Sequence, residues 1–66
     1  MKKMTVGKII RKIRRDKDLT QYELAQKAGI SPVTLCRVES GINQPNPATL
    51  VVIAKALNVK VEELVK

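Results

Sequence analysis

Eight of the thirteen Lys and Arg residues fall within the first 17 positions, beside a single acid, Asp16. That segment has a net charge of +7, whereas residues 18–66 hold five basic and five acidic side chains and are neutral. A cationic cluster of this density complements a polyanion. The alternative is a solvated helix face that only aids solubility. Groups that carry covalent or metal chemistry are nearly absent: there is no His, and Cys36 and Tyr22 each stand alone. A zinc site needs about four Cys or His ligands, and a disulfide needs a second cysteine. Aromatic platforms for unpaired bases need more than one ring. Glu62 and Glu63 adjoin in sequence but diverge on a helix, and there is no Gly-rich phosphate loop. The sequence therefore argues against an enzyme and implies neither metal nor cofactor.

The elements that must position the cationic cluster can be read from spacing. Val6, Ile9, Ile10 and Ile13 follow i, i+3, i+4, i+7, one face of a helix. Lys8, Arg11, Lys12 and Arg15 lie opposite. Thr5 is the expected N-cap, and the helix should stop near Lys17-Asp18, where Asp tolerates a left-handed cap. Thr20 and Glu23 form a capping box that opens a second helix. Its inward residues are Leu24, Ala25 and Ala28, and it ends at Gly29. Ile30 is an inward anchor. Ser31-Pro32 supplies an N-cap and a proline at the first helical position of a third helix, with Leu35 and Val38 inward and Ser40-Gly41 as its stop. Residues 41–47, with Pro45 and Pro47, read as a loop. Leu50, Ile53, Ala54 and Leu57 define a fourth helix capped by Asn58. Residues 59–65 read as a short fifth helix or turn.

The pattern predicts an all-α fold: one domain over residues 1–66, with five short helices around one core and a short basic arm at 1–4. A core this small supplies only a few kcal/mol, so the chain needs good packing or a second copy. No apolar run approaches the roughly 18 residues of a membrane span. The basic start lacks the apolar stretch of a secretion signal. The single cysteine suits a reducing interior, so the expectation is a cytoplasmic protein with no membrane partner.

Two helices of about eight residues joined through Ala28-Gly29-Ile30-Ser31 have helix-turn-helix spacing, spanning residues 20–40. Ala25 must be small where the helices cross, Gly29 must turn the chain, and Leu24, Ala28, Ile30, Leu35 and Val38 must lock the crossing. With Arg14, Leu19-Thr20-Gln21, Glu23-Leu24-Ala25, Gly29-Ile30-Ser31, Glu39-Ser40-Gly41, Pro45 and Ala54-Lys55-Ala56-Leu57, the chain resembles the phage-repressor/Cro-like helix-turn-helix family, the compact five-helix lambda-repressor-like DNA-binding domain. The resemblance covers residues 5–65. It implies binding to double-stranded DNA, transcriptional regulation, and a homodimer on a two-fold operator.

The same resemblance assigns roles. Pro32 to Glu39 corresponds to the recognition helix, which makes Val33, Thr34 and Arg37 the expected base contacts in the major groove. Arg37 suits guanine O6 and N7, and Thr34 and Val33 suit a thymine methyl. Gln21, Ser31, Asn43 and Gln44 match backbone-contact positions, and Arg14, Lys17 and Arg15 are expected within reach of phosphate. Arg14 and Glu39 match a partly buried structural salt bridge.

The chain also departs from the family pattern. Pro32 stands where many members carry a base-reading polar residue, and proline has no donor. Readout by shape and phosphate should therefore weigh more here. Lys2, Lys3 and Lys8 fit long-range steering or a flexible arm. Cys36, one step off the inner stripe, reads as a passenger rather than a redox switch. Val52 should point outward, and with Val51, Val61 and Val65 it forms a candidate dimer patch. The leading expectation is a sequence-specific regulator, most simply a repressor. The competing one is a protein-interaction adaptor, such as an antitoxin, with weak or non-specific DNA binding and a protein partner.

Overall fold

The Thr5 hydroxyl accepts the Lys8 backbone N–H at 3.3 Å and opens the first helix. In the computed structural model, which describes residues 5–65, five helices and no strand are found among the described residues. They are α1 (Val6–Asp16), α2 (Gln21–Ala28), α3 (Pro32–Ser40), α4 (Pro47–Leu57) and α5 (Val61–Leu64). None is long and apolar enough to cross a membrane. The expected arm at 1–4 lies outside the described residues.

Local chemistry sets the helix ends. Thr20 and Glu23 close the expected box: the Glu23 amide donates to the Thr20 hydroxyl and the Thr20 amide to the Glu23 carboxylate. The Thr20 backbone N–H, then its hydroxyl, hold the Glu23 carboxyl below the usual carboxylate range. Ser31 accepts from the Thr34 amide at 3.0 Å, with Pro32 as the first helical residue. The first four helices all end in a left-handed residue: Asp18, Gly29, Gly41 and Asn58. After each, the next amide reaches back five residues: Leu19 to Arg14, Ile30 to Ala25, Ile42 to Arg37 and Val59 to Ala54. This 6→1 closure satisfies carbonyls that a helix end leaves open.

Two boundaries differ from the sequence reading. Pro47 belongs to α4 as its first residue, and Asn46 caps that helix by accepting the Thr49 amide at 2.8 Å. The loop therefore ends one residue earlier, because proline at the first helical position gives up no intrahelical bond. The fifth helix is a single turn, shorter than the 59–65 stretch, and Val59 before it and Val61 at its start pack against the core. Val52 is also corrected. It is half-buried against the core rather than turned outward, because α4 is flanked by both α2 and α5 and buries more than one stripe.

The core is built from Ile10, Leu24, Ala25, Leu35, Val38, Ile53, Ala54, Leu57 and Leu64. Two contacts fix α1 against α3. The first is steric: Gly7 lies so close to α3 that a Cβ there would clash with the Val38 carbonyl oxygen and sit 2.9 Å from that of Glu39. The second is ionic. Arg14 Nε donates to Glu39 Oε2 at 2.7 Å and Nη2 to Oε1 at 3.1 Å. Arg14 Nη1 donates to the Leu19 carbonyl at 2.7 Å, and Gln21 Nε2 donates to Glu39 Oε1 at 2.9 Å. Side-chain exposure is 9% for Arg14 and 2% for Glu39, so the bridge is a buried one.

Both contacts are testable by unfolding. Gly7→Ala should lower stability, because overpacking costs about 1–3 kcal/mol against a helix-propensity gain of about 1 kcal/mol. A thermal midpoint that stays level or rises would contradict the close approach. Glu39→Gln strands a buried guanidinium and should cost about 3–5 kcal/mol, whereas Arg14→Met with Glu39→Leu should be milder than either single change. Urea titrations that rank the double variant as the least stable would refute that assignment.

Candidate nucleic-acid interface

Helix α3 divides its side chains between two environments. Leu35, Val38 and Glu39 are buried, while Val33, Thr34, Cys36 and Arg37 are exposed. Val33 keeps 60% of its surface free, a large apolar exposure for a residue in the first turn of a helix. Ser31 donates its hydroxyl hydrogen to Thr34 Oγ1 at 2.8 Å, which leaves the Thr34 hydroxyl hydrogen free to point outward. Among the described residues, Arg37 takes part in no ion pair. The outer face of α3 thus offers an apolar knob, a hydroxyl donor and a guanidinium fork within five residues. These are the group types that read a thymine methyl, a base-edge acceptor and a guanine.

Around α3 the structure sorts the other expected contact residues. Gln21 is half-buried at the first position of α2. One amide N–H is committed to Glu39, and its backbone N–H lies in the open first turn. Ser31 is exposed at the N-cap of α3. Asn43 and Gln44 are exposed in the loop after α3, lining a shallow cleft with Thr5, Val6 and Gly7 at the start of α1. Lys17 is exposed at the end of α1. Arg14 is turned inward: its Nε and both terminal nitrogens each donate one bond, to Glu39 or to the Leu19 carbonyl, and the second N–H of each terminal nitrogen is what is left for a phosphate. Arg15 lies on the outer face of α1 with Lys8, Arg11 and Lys12.

Of the valines, Val51 and Val65 are exposed, whereas Val52 and Val61 are half-buried against the core. Sequence reasoning passed over Ile42, which is 74% exposed beside Asn43. Leu19, Ile30 and Val59 stand at the equivalent position after the other left-handed caps, and all three pack on the core. The signal was present in the sequence as an apolar residue after Gly41, in a segment otherwise read as polar loop.

The comparisons with known proteins agree with this geometry. The family model described as helix-turn-helix matches residues 10–64. The immunity repressor protein of Bacillus phage phi105 is 40% identical over 62 residues; these make up 94% of this chain and 43% of that protein, so the chain spans less than half its length. Among solved structures, the DNA-binding domain of the P22 c2 repressor superposes with a TM-score of 0.94 at 29% identity, over 100% of this chain and 87% of that one. SinR, a Bacillus subtilis master regulator for biofilm formation solved in complex with DNA, superposes with a TM-score of 0.89 at 28% identity, over 94% of this chain and 100% of that one. A five-helix frame, an α2–α3 pair turned through Gly29 and an unpaired outer face on α3 place this chain in the helix-turn-helix family, among the phage-repressor/Cro-like, lambda-repressor-like DNA-binding domains.

Proposed function

We propose that the chain is a sequence-specific regulator of transcription that binds double-stranded DNA as a homodimer on a two-fold operator and acts as a repressor. The observation that carries this reading is the outer face of α3, where Val33, Thr34 and Arg37 are exposed together. Arg37 grips a guanine, Thr34 donates to a base-edge acceptor, and Val33 packs on a thymine methyl. Gln21, Ser31, Asn43, Gln44 and Lys17 hold the phosphate backbone and set the register of α3 in the groove. Open backbone amides in the first turns of α2 and α3 add to that grip. Val51 and Val65 form the exposed part of the dimer surface, supported by the half-buried Val52 and Val61. The relative from phage phi105 is named as a repressor and the SinR structure contains DNA, and both support this reading. Cytoplasmic DNA is the target, and no cofactor is required.

Pro32 removes one donor from the reading face, so the operator should show few sharply fixed bases and a larger contribution from shape. Selection of duplex sites from a random pool tests the whole reading. The expected result is a palindrome with half-sites about 34 Å apart. Arg37→Ala should cost about 1–3 kcal/mol of binding and relax the preference at one base pair. An unaltered preference profile removes Arg37 as a reader. Lys17→Ala should weaken selected and random duplexes alike and flatten the salt dependence by roughly one phosphate. A loss confined to the selected site would contradict that role.

A further inference from the structure

Every exposed residue of α1 is charged: Lys8, Arg11, Lys12, Arg15 and Asp16. The four cations occupy one face at spacings of three, four and seven residues, and together with Asp16 they line one shallow concavity. None is in an ion pair among the described residues. Position fixes where this face looks. The opposite side of α1, through Gly7, Ile10 and Arg14, is the side that packs on α3 at Val38 and Glu39. The outer face of α3, with Val33 and Arg37, looks away from the same contact. Each exposed face is thus turned away from the contact that its helix makes with the other. The charge is divided in the same way. Residues 20–40 carry Glu23, Lys27, Arg37 and Glu39 and are neutral, so the cationic excess sits away from the reading face.

We propose that the outer face of α1, through Lys8, Arg11, Lys12 and Arg15, is a second DNA-binding surface that holds the phosphate backbone of a duplex other than the one α3 reads. This inference rests on the DNA-reading role of α3 given above. Both faces are turned away from the α1–α3 contact, which leaves the α1 face free to meet a duplex other than the one seated on α3. The cationic face spans about 10 Å along the helix axis at 1.5 Å per residue. That matches about three phosphates on one strand at 3.4 Å of duplex axis each. Long, flexible, purely charged side chains suit a repeating phosphate backbone, which needs no pocket. An anionic bilayer is a poor fit, because the apolar stripe that would enter it, Val6, Ile9, Ile10 and Ile13, is packed in or against the core. An acidic protein would require an apolar or aromatic anchor among the charges, and the exposed face of α1 has none. The consequence is a protein that bridges two DNA segments, reading one and gripping the other without regard to sequence.

The test uses the full chain on an immobilised duplex that bears its selected palindrome, so that both reading helices of a dimer are occupied. Unbound protein is removed and a labelled random-sequence duplex is then offered. The second duplex should be captured, with affinity falling about 40-fold between 50 and 200 mM salt for about three phosphate contacts. Lys8→Gln/Arg11→Gln/Lys12→Gln should keep the selected-site preference and lose capture at least tenfold. Gln has nearly the helix propensity of Lys and Arg, and circular dichroism checks the fold. Lys8→Gln/Lys12→Gln provides a milder second variant, for which an intermediate loss is expected. Absence of capture by the parent chain overturns the proposal, as does undiminished capture by the triple variant. Equal loss of both duplexes also overturns it, since the face would then act on the duplex α3 reads. Binding to phosphatidylserine vesicles without capture of duplex overturns it in favour of a lipid. If selection yields no motif, the reading role of α3 fails separately, and the triple substitution must still abolish binding to random duplex.

Discussion

The buried bridge between Arg14 and Glu39 is the interaction on which the arrangement of the domain depends. It joins the last turn of α1 to the last turn of α3, and two further bonds bring in the turn after α1 and the first residue of α2. Three helices and one connection thus meet on a single carboxylate and a single guanidinium. Burial makes each charge costly without the other, so α3 is held at one angle to α1 rather than free to rock. That constraint reaches outward through the rigid helix to Val33, Thr34 and Arg37. It also explains why Arg14 faces inward: three of its five N–H groups are committed to Glu39 and the Leu19 carbonyl.

Most of the frame was legible because it is local. Thr5, Thr20 with Glu23 and Ser31 with Pro32 announce helix starts within four residues, and Gly29 and Asn58 announce ends in the same way. The salt bridge was legible only through family resemblance, since its partners are 25 residues apart. What escaped is non-local or depends on context. Gly7 looks like an ordinary weak spot in a helix, and its purpose emerges only when the α3 backbone is set beside it. Asn46-Pro47 repeats the grammar of Ser31-Pro32, but a second proline two residues earlier makes the stretch read as loop. Val52 is half-buried against the core, on a helix packed by both α2 and α5, which no periodicity within α4 could reveal. At the interface, the exposure of Val33, Thr34 and Arg37 follows from the inward spacing of Leu35 and Val38. The fate of Arg14 and the exposure of Ile42 required the fold.

Charge and readout are separated in this domain. The outer face of α3 belongs to a segment that is close to neutral, whereas the outer face of α1 carries four cations and no apolar or hydroxyl group. Under the proposed function, attraction to DNA over long range and choice among sites over short range are tuned by different helices. The two sets of side chains share no hydrogen-bond or ion-pair partner among the described residues and stand on different helices.

The repeated closure at Asp18, Gly29, Gly41 and Asn58 bears on how the chain reaches this structure. Each helix end is completed by a bond spanning five residues, and each connection is short. Ordering such a chain closes small loops first and leaves few distant pairings for late stages, the topology associated with folding in microseconds to milliseconds. A chain of this topology re-forms the outer face of α3 soon after losing it, which shortens the time for which its core is open to aggregation or proteolysis.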